Sequence, residues 1–482
     1  MENFWDYNAW GTFSLFAVLF LSLLVGNIIK KEVPFMKNTL IPTSVIGGVL
    51  LIIVAAIYKA ITGDVMFDTA FFGGNGTAAL EVITYHALAL GFIASTLKRT
   101  GKKMSKQRTE EIFNTGVTTV STYLIQGIVG LATTMIAALV ISGFFAAAGV
   151  LLPFGFGQGT GQAMNYGNIY ETWSEDNYLA GGKSFGLTIA AIGFIVASLG
   201  GVIHINILKR RGKLKTSTVL GEAAAEEEVN PENEIPLSES MDKMTVQVTL
   251  IAVVYFLAYA VMHLLGLLLP GMRSTIFGFN FLIGVLCAML MKALIGLMKK
   301  GHIIKKDYTN NFLLTRASNF CFDIMIVSGI AAIRLDIVEQ YWGIILILAA
   351  LGTIVTYVYN RFVAKKLFQG YYEEQFLTMY GMLTGTASTG VILLREIDPE
   401  FHSPASDNLV YQNLPAIVFG FPMMLLATLA PDQPLLTLVI FIVFFIAMNI
   451  LLFRKQIFCF KKAAPAAKEA EGASEEPAQP NE

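Results

Sequence analysis

An interrupted apolar run about a third of the way along the chain carries residues that could bind a small charged solute. Between Leu151 and Glu171 the sequence reads LLPFGFGQGTGQAMNYGNIYE, with glycines at four alternate positions, Gly155, Gly157, Gly159 and Gly161. Glycine lets other groups approach the backbone, and a helix that begins after such a break presents unpaired N–H groups that favour an anion. Carbonyl and hydroxyl oxygens at the break are ligands that hard cations prefer.

A second stretch of the same kind lies downstream, between Glu373 and Asp398. It reads EEQFLTMYGMLTGTASTGVILLREID and combines small and hydroxyl residues, namely Gly381, Thr384, Gly385, Thr386, Ser388, Thr389 and Gly390. Two such breaks could together point helix N-termini at a carboxylate while oxygen atoms hold a dehydrated cation.

The elements that must position these residues are membrane helices. Of the 482 residues, 55% are hydrophobic and 14% are charged, whereas typical soluble domains have about 25% charged residues. Hydropathy predicts eleven spans, at 11–29, 39–59, 78–97, 112–141, 184–207, 245–269, 276–298, 312–334, 341–362, 410–430 and 433–454.

Charge fixes the expected orientation of these spans. Basic residues follow every odd span, as in KRTGKKMSKQR at 98–108 and KRRGKLK at 209–215, and the intervening loops are acidic or poor in Lys and Arg. By the positive-inside pattern every odd span ends in the cytoplasm. The N-terminus lacks the basic segment of a cleaved signal peptide, so we expect it to remain and to lie outside an inner (plasma) membrane, with the C-terminus in the cytoplasm.

Neither glycine-rich stretch is long enough to cross the bilayer, since a crossing requires roughly 20 residues. Each must therefore enter and turn back, and irregular backbone at membrane depth is tolerated only where protein buries it or it lines an aqueous cavity. We predict re-entrant hairpins near 144–170 and 374–396.

Matched segments indicate an internal repeat. VIGGVL at 45–50 corresponds to FLIGVL at 281–286, GFIASTL at 91–97 corresponds to GIAAIRL at 329–335, and each hairpin follows the fourth span of its half. The halves start on opposite sides, which predicts two inverted-topology five-helix repeats, an arrangement found in many secondary transporters.

The predicted fold class is thus an all-α polytopic membrane protein with two inverted repeats, at 1–210 and 245–430. An acidic cytoplasmic linker at 211–244 joins them and reads as a solvated spacer. An additional C-terminal transmembrane helix at 431–456 and a disordered cytoplasmic tail at 457–482 complete the chain.

Isolated polar residues inside the spans are further candidates. A carboxylate at the middle of a span costs about 2.5–3.5 kcal/mol on the insertion scale, so Asp323 is by default a functional hypothesis or else an internally paired structural group. Asn319 lies one turn earlier on the same face. Gln126 is expected to form an interhelical hydrogen bond, and Arg395 directly follows the second hairpin.

Several long segments resemble a known family, the bacterial sodium/glutamate symporters. They are GQGTGQAMNYGNIYE at 157–171, FGLTIAAIGFIVASLGGVI at 185–203, IPTSVIGGVL at 41–50 and TGTASTGVILLREID at 384–398, and the resemblance covers most of residues 11–430. It implies two inverted five-helix repeats with re-entrant loops, Na⁺-coupled uptake of glutamate, and a homodimer. Na⁺ would be the coupling ion, with no other cofactor.

For an anionic amino acid, the expected substrate contacts are Gln158, Gly159, Thr160, Gly161, Gln162, Thr384, Gly385, Thr386, Ala387, Ser388, Asp323 and Arg395. For Na⁺, the expected ligands are Gly157, Thr160, Asn319, Asp323, Thr386 and Thr389. A purely structural alternative, the packing alternative, is that the glycines only permit close helix packing.

Other functions remain open on the sequence alone: a Na⁺- or H⁺-coupled dicarboxylate carrier, a passive channel, or a non-transporting membrane sensor or enzyme. The absence of the common enzymatic motifs from the sequence argues against catalysis. Gly182-Lys183-Ser184 lacks the glycine that a phosphate loop requires at position 177, and neither HExxH nor GxSxG occurs. The net charge of −1 gives no indication of nucleic acid, and three scattered cysteines indicate neither a disulfide framework nor a metal cluster.

Overall fold

The computed structural model describes residues 5–99, 105–212, 234, 241–398 and 402–458. Within these residues the chain is helical and contains no strand, apart from an isolated bridge between Glu234 and Asp307. Most of the predicted linker and tail lie outside the described residues.

The first half of the chain forms seven helices. They are α1 (Tyr7–Glu32), α2 (Thr43–Thr62), α3 (Gly76–Leu97), α4 (Lys106–Val140), α5 (Leu151–Gln158), α6 (Thr160–Glu171) and α7 (Gly182–Arg210). The second half forms α8 (Lys243–Leu268), α9 (Asn280–Lys300), α10 (Asn311–Ala331), α11 (Trp342–Leu367), α12 (Tyr372–Thr384), α13 (Ala387–Arg395), α14 (Ala405–Tyr411), α15 (Asn413–Ala427) and α16 (Pro434–Leu452). Short helical turns connect several of them.

Ten helices in the described part of the chain are long and apolar enough to cross a membrane, or up to eleven if one bent pair counts as a single span. That pair is α14 with α15, bent by 51° before Pro415, at the place of the predicted span 410–430. Pro415 has no N–H to donate to the carbonyl of Tyr411, the last residue of α14, so the helical hydrogen bonds are interrupted at this bend. The other ten predicted spans each coincide with a long helix.

Small and hydroxyl residues bring α2, α3 and α10 together. The hydroxyl oxygens of Thr84 and Ser328 lie 2.9 Å apart, and the Ser318 hydroxyl donates to the Gly91 carbonyl at 2.9 Å. A Cβ on Gly48 would lie 2.7 Å from Ile330 Cβ. Close approach through small residues and interhelical hydrogen bonds is how helices associate where water cannot drive their packing.

Two segments are each broken into a pair of helices at the places where the sequence predicted hairpins; we call them the broken helix pairs. The rings of Phe154 in α5 and Tyr166 in α6 stack 3.6 Å apart across the break at Gly159. In the second pair, a Cβ on Gly381 in α12 would lie 2.8 Å from the Gly390 backbone in α13. The helices of each pair therefore pack on each other. Their re-entry into the membrane and the inverted relation of the two halves stay predictions.

Two described residues of the predicted linker, Glu234 and Lys243, do not behave as parts of a solvated spacer. Glu234 is 4% exposed, and its carboxylate accepts from Asn310 Nδ2 at 2.6 Å and pairs with Lys243 Nζ at 2.8 Å and with Arg99. A buried carboxylate is tolerated when it is paired and hydrogen-bonded, as here. Composition alone could not distinguish this acidic residue from its neighbours.

Candidate functional site

The first break is a single glycine between two helices. Gly159 has φ +81° and ψ −173°, a conformation that side-chain-bearing residues avoid, and it follows α5 and precedes α6 directly. The N–H groups of the first helical turn have no acceptor within their own helix. Thr160, Gly161 and Gln162 therefore present backbone donors at this break.

The other alternate glycines have a different role. A Cβ would lie 2.7 Å from Ile189 Cγ2 at Gly155, 2.2 Å from Tyr123 Cε1 at Gly157, and 2.7 Å from Leu88 Cδ1 at Gly161. These distances are below normal van der Waals contact, so the three glycines permit close packing. The packing alternative thus accounts for them, whereas Gly159 is required by backbone conformation.

Two glutamine side chains at the first break carry buried amide atoms that are unsatisfied. Gln162 is 1% exposed, and neither its Nε2 nor its Oε1 has a hydrogen-bond partner in the described chain. The same holds for Nε2 of Gln158. Each such group costs about 1–3 kcal/mol when left unpaired. These atoms are suited to accept and donate hydrogen bonds to a polar solute.

The first break contacts the helix that carries Asp323. Thr160 Oγ1 donates to the Met325 carbonyl in α10 at 3.3 Å, and a Cβ on Gly329 would lie 2.8 Å from Thr160 Cβ. Thr160 is fully buried, and its hydroxyl oxygen keeps lone pairs that could serve a cation.

Asp323 lies two residues before Met325 and is half-buried. Ser44, at the start of α2, interacts with its carboxyl group, although the Ser44 hydroxyl forms no hydrogen bond of standard geometry with any described residue. Asn319 is exposed. No contact among the described residues brings Asn319 to the break, so its predicted role as a Na⁺ ligand is unsupported and stays a prediction.

The second break spans Gly385 and Thr386. Thr386 caps α13, its hydroxyl accepting from the Thr389 backbone N–H at 3.3 Å, and its Oγ1 lies 3.2 Å from Thr389 Oγ1. Thr384 and Thr389 are fully buried, Thr386 is half-buried, and Ala387 and Ser388 are exposed. The hydroxyl groups of this break are thus clustered at its buried side.

Arg395 ends α13, nine residues after Thr386, which corresponds to roughly 13 Å along a helix. Its side chain is exposed. Its assignment to a substrate carboxylate stays a prediction.

Helices α4 and α7 bring the two breaks together. The Tyr123 hydroxyl in α4 donates to the Gly157 carbonyl at 3.1 Å, and its ring packs on the cluster of Met379, Met382 and Leu383 in α12. In α7, a Cβ on Gly193 would lie 2.5 Å from the Thr384 carbonyl and 3.0 Å from Phe156 Cδ1.

Gln126 joins the same assembly. Its Nε2 donates to the Leu383 carbonyl at 2.9 Å and to Thr356 Oγ1 at 2.7 Å, which confirms the predicted interhelical hydrogen bond. Sequence reasoning missed Tyr123 and Gly193. The polar run TTVSTYLIQ at 118–126 was the available signal for Tyr123, because aromatic and hydroxyl residues in a span mark an internal face.

A partly buried ion cluster holds the start of the second broken pair. Arg361 in α11 donates from Nη1 to Glu373 Oε2 at 2.8 Å and from Nη2 to Oε1 at 3.1 Å. His204 Nε2 in α7 lies 3.0 Å from both Glu373 Oε2 and Arg361 Nη1. Burial opposes ionisation of Glu373, but these hydrogen bonds and charges outweigh it and lower the pKa of Glu373 to about 2.

The described part of the chain is an all-helical bundle with ten candidate spans and two broken helix pairs, joined around buried polar groups. This is the architecture of a membrane transporter. The chain belongs to the sodium/glutamate symporter family, whose model matches residues 9–397. No curated protein matches the chain. The resemblance drawn from the sequence is therefore confirmed, and membership supports transport, symport, sodium and glutamate as the general functional class.

Proposed function

We propose that this protein is a secondary active transporter that couples Na⁺ entry to uptake of glutamate or a related anionic amino acid. The observation that carries the proposal is that α4 and α7 join the ends of α5 and α12, where the two breaks begin. Beside the first break, the amide of Gln162 and Nε2 of Gln158 have no hydrogen-bond partner in the described chain. Family membership supplies the substrate class.

Each part of the substrate has a complementary group. Carboxylates favour helix N-termini, so the first turns of α6 and α13 would receive them, with the Gln158 and Gln162 amides adding donors. Asp323 would hold the substrate ammonium or Na⁺, and hydroxyl oxygens of Thr160, Thr386 and Thr389 would complete an oxygen ligand set.

Alternating access would move the helices that carry the breaks relative to the remaining helices. Without a nucleotide-binding motif, uphill uptake needs an ion gradient. Repeats that rock around a central site are the usual solution in carriers of this architecture. We propose a homodimer and the predicted orientation, N-terminus outside, as part of the same hypothesis.

The test is uptake of labelled L-glutamate into proteoliposomes, with an inward Na⁺ gradient against an equal K⁺ gradient. Saturable accumulation that requires Na⁺ is expected. Non-saturating flux without accumulation would indicate a channel. No accumulation under either cation, in protein whose unfolding transition is intact, would remove glutamate as the substrate.

Asp323 offers a specific observation in favour of H⁺ coupling, because a carboxyl within a span can exchange a proton. Asp323→Asn distinguishes the two ions. If Asp323 carries the proton, the variant loses uptake driven by a pH gradient. If it binds Na⁺ among other oxygen ligands, the variant retains a carrier that needs more Na⁺ for half-maximal rate.

A further inference from the structure

A cavity distant from both helix breaks is lined by charges of both signs. It has a volume of about 140 Å³ and is formed by α3, the end of α6, the start of α7 and the segment that follows α10. Glu81, Glu171, Lys183 and Arg334 supply the charges, and Ala78 forms part of the wall. The sequence predicts that this end of the bundle faces outward.

The four charges are only partly paired. Lys183 Nζ and Glu81 Oε2 form a close pair at 2.7 Å. The carboxylate nearest to Arg334 among the described residues is that of Asp68, at 3.7 Å, which is a loose contact. Glu171 accepts the backbone N–H of Lys183 at 3.2 Å and forms no ion pair within the described ranges. One cation and one anion thus remain available on the cavity wall.

The cavity and the first break share two helices. α6 begins at the break with Thr160 and ends at the cavity with Glu171, eleven residues or roughly 16 Å further on. α3 contacts the break through Leu88 and reaches the cavity at Glu81, seven residues or roughly 10 Å away. A solute in this cavity would lie roughly two to three helical turns from the break.

We propose that this cavity is a second binding site, which captures a zwitterionic α-amino acid before it reaches the breaks. The α-carboxylate would pair with Arg334 and the α-ammonium with Glu171, the two charges that lack a close partner. Since the volume corresponds to roughly five waters at liquid density, the site fits the amino-acid end of the solute, with the side chain directed out of the mouth. The transport role of this site rests on the proposed function.

Occupancy can be measured directly at Ala78, which is exposed on the cavity wall. Ala78→Cys is introduced into the full chain after replacement of Cys287, Cys321 and Cys459, and its alkylation by N-ethylmaleimide is timed in K⁺ medium. The absence of Na⁺ suppresses Na⁺-coupled binding at the breaks. L-glutamate and glycine should both slow the alkylation by the factor 1 + [L]/Kd, about fourfold at three times Kd.

Charge variants test the assignment. Arg334→Gln and Glu171→Gln should abolish the protection. The matched controls, Arg316→Gln at the other end of α10 and Glu175→Gln in the exposed loop after α6, should retain it. The proposal is overturned if neither amino acid protects, if protection persists in Arg334→Gln, or if acetate protects as well as glycine.

Transport gives the second readout. Arg334→Gln removes the proposed ion pair with the substrate carboxylate. It should raise the KM for L-glutamate about fivefold and leave the maximal rate within a factor of two of the wild type. An unchanged KM, with Na⁺-driven uptake intact, overturns the capture role alone. If the wild-type chain shows no Na⁺-driven uptake, the proposed function fails, and the alkylation experiment still decides whether the cavity binds a zwitterion.

Discussion

Gln162 shows how the residues of the first break differ from ordinary buried polar residues. Gln247 in α8 is equally buried, but its Nε2 donates to the Tyr308 carbonyl at 2.8 Å and its Oε1 accepts from the Asn310 N–H at 3.1 Å. The Gln162 amide makes neither kind of bond to a described residue. The protein therefore bears an energetic cost at Gln162 that a bound solute would offset.

Gln162→Met should separate stability from function. Because it removes an unsatisfied amide at similar volume, the unfolding temperature in detergent should stay at or above that of the wild type. Glutamate affinity should fall about tenfold or more if the amide contacts a carboxylate. Gln247→Met is the control and should lower the unfolding temperature. Equal destabilisation by both substitutions would show that Gln162 is satisfied within the protein.

The alternate glycines make a second residue-scale distinction. At Gly159 the nearest atoms to an added Cβ lie 3.9 Å away, so there is space, and the restriction comes from φ +81° alone. At Gly157 the restriction is contact with Tyr123.

Gly159→Ala should therefore reduce uptake and cost about 1–3 kcal/mol of stability through backbone strain. Truncation of a neighbouring side chain, as in the double variant Gly159→Ala/Met325→Ala, should restore neither the uptake nor the stability. Gly157→Ala should also lower uptake and stability. A second substitution, Tyr123→Ala, should partly restore the stability of Gly157→Ala because it removes the ring that the added Cβ would contact. Thermal unfolding of the single and double variants measures both effects. Restoration of Gly159→Ala by Met325→Ala would contradict the backbone explanation.

At the scale of elements, the second broken pair is held at its start by charge. Glu373 joins α12 to α11 through Arg361 and to α7 through His204, which is 2% exposed. The Nε2 atom of His204 cannot both accept from Arg361 and donate to Glu373, so the tautomer of the ring decides which of the two contacts is a hydrogen bond.

Glu373→Gln should show pH-dependent destabilisation. The pKa of Glu373 is lowered to about 2 in the folded protein, so its stabilisation is present above the unfolded pKa near 4.5 and is lost as the pH falls through the folded value. Near pH 7 the variant should lose on the order of 2–3 kcal/mol of unfolding free energy. As the pH falls from about 4.5 toward 2, the difference between the wild-type and variant curves should shrink steadily.

Denaturation in detergent between pH 3 and pH 8 provides the measurement. Glu175→Gln, which removes an exposed carboxylate, should follow the wild type throughout. A destabilisation of Glu373→Gln that stays constant over this range would show that the ion pairs do not stabilise the fold.

At the scale of the molecule, the proposed alternating access would move α6 relative to some of its neighbours. Its N-terminus packs on α3, where an added Cβ on Gly161 would lie 3.0 Å from Leu88 Cβ. This separation is shorter than the roughly 3.5–4.5 Å between the Cβ atoms of a disulfide, so the two helices must part by about 0.5 Å or more to form one. The contact between α3 and α6 can then be locked covalently.

Oxidation of the double variant Gly161→Cys/Leu88→Cys, in a background without native cysteines, should abolish uptake, and reductant should restore it. The physical reason is that a lock between a break-bearing helix and the rest of the bundle prevents exchange between outward and inward access. Leu88→Cys alone, treated with the same oxidant, is the control. Full uptake by the oxidised double variant would contradict motion at this contact.

The sequence by itself determined the membrane class, ten of the helix positions and the places where two helices break. Hydropathy and the backbone preference of glycine are local properties, so Gly159 and Gly385 could be identified without knowledge of their neighbours. The polarity of Gln126 likewise predicted an interhelical hydrogen bond, although not its acceptor in α12.

Only the tertiary structure decided which residues meet. Tyr123 contacts Gly157 and the α12 cluster, Gly193 separates Phe156 from Thr384, Glu234 is buried by Arg99 and Lys243, and Asn319 remains exposed. These contacts join segments far apart in the chain, and close packing of helices selects them by shape. A one-dimensional pattern of apolar residues contains no record of that shape.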